Sequence, residues 1–152
     1  MDVPGFRFKL ERVRAVRERA EQLAKQDLAE AISQRSDTED ELRAAEALLE
    51  QAHEQQRSNT SVTQSVDPSE LVARQAYVER IEAQHTNHAH DLERRETEVV
   101  ARDAQLTKAA GEREMLERLR ERRRSEHEQE ASRREQGVLD EVAATNFERS
   151  RA

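Results

Sequence analysis

The hydrophobic positions of this chain fall into two narrow stripes separated by one polar break. In the first stripe Leu10, Val13, Ala20, Ala24, Leu28, Ala31, Leu42, Ala45, Leu49 and Ala52 recur mostly at steps of three, four or seven residues, the spacing of one face of a helix. This predicts helix one over about residues 6–57. The stretch SNTSVTQSVDPSE then interrupts the pattern with Ser, Thr, Asn and Pro, whose side chains compete with helical backbone bonding or whose ring prevents it, so residues 58–69 are predicted to be a linker. Asp67, Pro68 and Glu70 supply a carboxylate N-cap, a first-turn proline and a Glu three residues after the cap, and helix two is predicted over about 70–149. Its stripe is a heptad ladder of Leu71, Val78, His85, Leu92, Val99 and Leu106, with Ile81, His88, Ala109 and Leu116 offset by three.

A helix with one thin apolar stripe must bury it, and the short break makes the other helix the nearest partner. The predicted fold is therefore all-α: a single coiled-coil domain over residues 1–152, built as an antiparallel hairpin of two long helices. With the turn near residue 63 or 64, partners should have numbers adding to about 127. Leu49 with Val78, Ala45 with Ile81, Leu28 with Val99, Ala20 with Leu106 and Leu10 with Leu116 satisfy that rule. At about 1.5 Å per residue the first helix would span roughly 75 Å and the second nearer 120 Å, so helix two should overhang beyond about residue 121. Residues 112–135 carry eight Arg and eight Glu, many three or four apart, which sustain helicity by about 0.2–0.5 kcal/mol per pair. Gly137 weakens the overhang, and its free end is expected to fray.

Composition narrows the function. Of 152 residues 39% are charged, 34% hydrophobic and 3% aromatic, too little apolar material to wall an enclosed pocket, so an enzyme is not expected. The absence of Cys removes disulfides and thiolate metal sites, and no segment matches a membrane span or a signal peptide, which makes the cytoplasm the default. The net charge of −7 disfavours nucleic acid, but it hides a polarity along the chain. Residues 6–25 hold seven basic side chains against three Glu, whereas residues 36–56 hold seven acidic ones against Arg43 alone.

Specific chemistry is sparse. His85, His88 and His90, followed by Asp91, resemble a metal cluster, but zinc needs three or four convergent ligands and the mirror position is Leu42. The bland reading is a polar interruption of the seam; a pH-sensitive seam is the lesser alternative. Gly5, Gly111 and Gly137 stand apart from any phosphate-binding motif, and no cofactor or small-molecule substrate is expected. The run RERRR from Arg120 to Arg124 is either a solvated face or a set of guanidinium forks for acidic loops of a partner. Tyr77, the only Tyr, sits beside Val78 and is either packing or an exposed anchor.

Three blocks carry a family likeness: FRFKLERVRAVRERAEQLAKQDLAEA at the start, QAYVERIEAQ early in helix two, and MLERLRERRRSEHEQEASRREQGVLDEVAATNFER near the end. They resemble FliJ, a coiled-coil component of flagellar type III export. The last block is the most specific, with Gln136, Leu139, Asp140, Glu141, Ala143 and Phe147 matching the family's closing pattern. Gly137 departs from it where Lys is common, and the linker has no counterpart.

The resemblance implies a noncatalytic antiparallel hairpin that inserts into the export ATPase ring and couples it to the membrane export gate, with export chaperones as secondary partners. It implies gate contacts at Tyr77, Ile81 and His88, towards the acidic end. Ring contacts would come from Arg7, Arg12, Arg14, Arg118, Arg122, Arg123, Gln136, Asp140 and Glu141. It also implies a cytoplasmic protein held peripherally at the inner face of the cell membrane, at the flagellar base. Periodicity alone supports equally a generic coiled-coil scaffold or spacer with no export role.

Overall fold

The computed structural model is an all-α helical hairpin in which two long helices pack against each other. They are α1 (Glu11–Thr60) and α2 (Pro68–Arg151). The structure describes residues 5–60 and 67–151; the middle of the expected linker, 61–66, lies outside them. Packing divides the chain into a central unit, Leu23–Thr107, and a terminal unit formed by the chain up to Gln22 and from Lys108 onward.

The helix ends follow from local chemistry. The Asp67 carboxylate accepts the Ser69 N–H at 3.1 Å, and the Asp67 carbonyl accepts the N–H groups of Glu70 and Leu71 at 3.0 and 3.3 Å, so α2 begins with its first donors satisfied. Helix α1 starts at Glu11, later than the expected residue 6. Before it, apolar and basic residues alternate as Phe6, Arg7, Phe8 and Lys9, with the Phe rings half-buried and Arg7 and Lys9 exposed, and Lys9 and Leu10 form a turn. The Glu11 N–H donates to the Phe8 carbonyl at 3.2 Å, which turns this segment into the helix.

In the central unit α1 contributes a strict heptad column of buried residues, Ala31, Thr38, Ala45 and Ala52. The small alanines let α2 approach closely, and Val78 and Ile81 pack onto Ala52 with Leu49 alongside. Thr38 is buried without cost to its hydroxyl, which donates to the Gln34 carbonyl at 3.0 Å. Polar pairs flank the seam: Asp27 with Arg102 at 3.7 Å, Gln34 with Arg95 at 2.8 Å and Glu41 with His88 at 3.5 Å. The α1 number rises as the α2 number falls, so the helices run antiparallel, and each of these pairs adds to 129. These polar pairs lie two from the expected 127 and His85 with Glu46 adds to 131, while Leu49 packs against the cluster of Val78, its expected partner.

In the terminal unit the antiparallel pairing is ionic. Arg17 pairs with Glu112 at 2.6 Å, Arg14 with Glu117 at 3.6 Å, Glu11 with Arg120 at 3.8 Å, and the buried Glu21 with Arg113. Leu10 precedes α1, is 38% exposed, and borders a groove beside Leu119. Contacts along α2 extend further than the expected residue 121, because the Phe6 ring meets His127 with centroids 5.8 Å apart at 57°. From Ser132 to Ser150 every position of α2 is exposed.

Candidate functional site

The nine residues expected to meet the ATPase ring all lie in the terminal unit, and their side chains are in three different situations. Arg14, Arg118 and Arg123 are already engaged. Arg14 binds Glu11 at 2.7 Å with Glu18 and Glu117 at 3.5 and 3.6 Å, Arg118 binds Glu114 at 2.6 Å, and Arg123 binds Glu126 at 3.1 Å. The hydrogen bond from Arg14, with the charges of Arg14 and Arg120, holds the Glu11 carboxyl below the usual carboxylate range. Arg7, Arg12 and Arg122 form no ion pair with any of the described residues. Gln136, Asp140 and Glu141 sit on the exposed tail of α2, beyond the segment that Phe6 contacts.

That exposed tail carries apolar side chains. Val138, Leu139, Val142 and Phe147 are all more than half exposed on a helix whose other positions are largely polar or charged. Gly137 lies inside it with nothing near its missing Cβ, so the helix passes through that position without a packing reason for glycine.

The segment 6–10 forms a groove with α2. Phe6, Phe8, Leu10 and Leu119 supply its apolar wall, and Arg7, Lys9, Arg123 and His127 border it around a volume of about 540 Å³. Of the expected ring residues, the groove brings together Arg7 and Arg123. Phe6, Phe8, Leu119 and His127 were not among the residues singled out from the sequence. The signal for them was the alternation in FRFKL, which has the period of an extended chain rather than a helix.

In the central unit the three residues expected to meet the export gate separate by burial. Ile81 is 3% exposed within the cluster of Ala52 and Val78, so its side chain holds the seam and is not a surface contact. Tyr77 is 42% exposed, with the Arg80 guanidinium 5.4 Å from its ring centroid. It also borders a small hollow with Gln55, Gln56 and Arg74. His88 is half-buried with Nδ1 3.5 Å from Glu41 Oε2, a separation too long for a hydrogen bond.

The other histidines show the same arrangement. His85 faces Glu46 and His53 faces Glu82 across the seam, each at 3.7 Å, while exposed His90 lies 3.9 Å from Glu93 on its own helix. Among the described residues no three His, Asp or Glu side chains converge as metal ligands, and no helix is long and apolar enough to cross a membrane.

Charge separates the two units. The central unit holds 18 acidic against nine basic side chains, a net −9, and the terminal unit carries the remaining +2. Compared with known families, the chain matches the model described as Flagellar FliJ protein over residues 6–152. Comparison with curated proteins and with solved structures gives no match.

Proposed function

The chain belongs to the FliJ family of flagellar export proteins, and from that premise we propose that it binds the export ATPase ring and couples it to the membrane export gate as a noncatalytic subunit. The observation that carries this reading is the set of uncommitted cations in the terminal unit. Arg7, Arg12 and Arg122 have no ion pair among the described residues, in a chain whose charge elsewhere is strongly negative. A cation without an internal partner gains a new ion pair on association, whereas a paired one exchanges one carboxylate for another. Acidic loops of the ring are the complementary surface.

The gate contact is assigned to Tyr77, whose half-exposed ring can be buried by a partner, with His88 beside the seam as a weaker contributor. Ile81 serves that contact by holding α2 against α1 beneath Tyr77. The protein then works in the cytoplasm at the inner face of the membrane, at the flagellar base, and its secondary partners are export chaperones. It uses neither cofactor nor small-molecule substrate, and nucleic acid is not a partner.

The test is binding of the full chain to purified export ATPase and, separately, to the cytoplasmic part of the gate protein. Joint replacement of Arg7, Arg12 and Arg122 by Ala should weaken ATPase binding and spare gate binding. Tyr77→Ala should do the reverse with helicity unchanged. No affinity of the unaltered chain for either partner would leave only the scaffold reading.

A further inference from the structure

We propose that the segment Phe6–Leu10, which precedes α1, and the facing turns of α2 form a receptor groove for an acidic loop bearing one apolar anchor side chain. The proposal deepens the ring contact argued above, and rests on it only for the identity of the protein that presents the loop.

Size and lining point to a guest. The groove is open to solvent and offers about 540 Å³ over an apolar patch of Phe6, Phe8, Leu10 and Leu119 with a charged rim, within the roughly 300–1,000 Å³ of sites that hold a side chain or small ligand. Phe6 and Phe8 remain only half-buried on their own chain, so a guest would take apolar surface out of water that folding has left wet.

The charge of the guest follows from which wall groups are already paired. Glu126 is taken by Arg123 at 3.1 Å and Glu130 by Arg134 at 3.4 Å, so neither carboxylate is left to attract a cation. Arg7 and Lys9 border the same groove and form no ion pair with the described residues. The rim is therefore net positive over an apolar floor, and its complement is a carboxylate next to a Leu or Phe. A second copy of this chain, whose exposed tail carries Leu139, Asp140, Glu141 and Val142, is the competing occupant.

The probe is anilinonaphthalene sulfonate, an aromatic anion with the same pairing of apolar body and negative group, titrated against the full chain. Saturable fluorescence enhancement is expected. Phe8→Ser, which opens the floor, and the double variant Arg7→Glu/Lys9→Glu, which reverses the rim, should each weaken it about tenfold or more. Val16→Ser, at an exposed apolar site elsewhere on α1, should leave it unchanged. If Phe8→Ser loses helicity by circular dichroism, the double variant, which lies outside both helices, carries the test.

Full binding by the charge-reversed chain would overturn the anionic guest, and full binding by a folded Phe8→Ser chain would overturn the groove. Self-association that displaces the probe would overturn the loop in favour of a second copy. Since the titration contains no ATPase, failure there is separable from failure of the ring contact.

Discussion

Replacing Ile81 by Ala tests whether this side chain holds the hairpin or faces a partner. Ile81 is 3% exposed and packs with Ala52, Val78 and Leu49. The substitution removes three carbon atoms from that cluster, and at about 0.8 kcal/mol per buried methylene the lost transfer free energy is about 2.4 kcal/mol. A cavity term adds to it in a thick core. Here no described side chain is fully enclosed, so the void opens towards solvent and that term is small.

The expected cost is therefore about 2–3 kcal/mol, the lower part of the range for Ile→Ala, and a factor of roughly 30 to 150 in the folding equilibrium. Ile81→Val should cost about 0.5–1.5 kcal/mol. Urea denaturation followed by circular dichroism measures the total, and amide exchange along residues 78–88 locates it. Gate binding by the Ala variant should fall as well, because Tyr77 stands one turn earlier on the same helix. An Ala variant within about 0.5 kcal/mol of the parent that nevertheless lost gate binding would refute the reasoning and return Ile81 to the surface.

Three further outcomes are expected. Gly111→Ala should stabilise the terminal unit by about 1 kcal/mol, because the position is helical and a new Cβ meets nothing within 4 Å; a lower denaturation midpoint would contradict it. The Asp67 carboxyl is held below its ordinary value by hydrogen bonds from the Ser69 hydroxyl and backbone N–H. A depressed acid contributes fully above its unfolded value near about 3.9 and loses the contribution as pH falls through the lower folded value, so exchange at residues 69–71 should stay slow at neutral pH and quicken only in acid. In Asp67→Asn that acid step should vanish. Deleting the chain from Ser132 onward should change stability by no more than about 0.5 kcal/mol, since every described position there is exposed, while removing Gln136, Asp140 and Glu141 from any ring contact.

The parts of the fold legible in the sequence were those with a local or periodic signature. The cap at Asp67 needs only neighbouring residues, and the heptad of Val78, Leu92, Val99 and Leu106 needs only spacing. Register needed more. The expected sum of 127 came from centring a turn, whereas the polar pairs flanking the seam of the central unit add to between 129 and 135, because long side chains reach along the helices to partners off their own layer. Thr38 escaped the pattern because a polar residue was not counted as core, although its hydroxyl is satisfied within its own helix and its methyl can be buried. Helix α1 begins only at Glu11 because the chain turns at Lys9 and Leu10, where the Glu11 N–H donates to the Phe8 carbonyl, a turn that the stripe starting at Leu10 does not reveal.

The candidate site was legible as a region and not as a set of roles. Charge counting located a basic terminal segment, but which cations are available to a partner depends on which carboxylate each side chain reaches, three or four residues away on its own helix or, for Arg14 and Glu117, across to the other. Arg14 and Arg122 look alike in a charge plot, yet Arg14 lies within 3.6 Å of three carboxylates and Arg122 pairs with none of the described ones. An approaching acidic loop must compete with Glu11, Glu18 and Glu117 for Arg14 and with water alone for Arg122. The free-energy gain on docking is concentrated where the fold has left charge unspent, and that places Arg7, Arg12 and Arg122 ahead of Arg14, Arg118 and Arg123 although the family pattern ranks them together. Of the engaged arginines only Arg14 bridges α1 and α2, through Glu117, whereas Arg118 and Arg123 pair within α2.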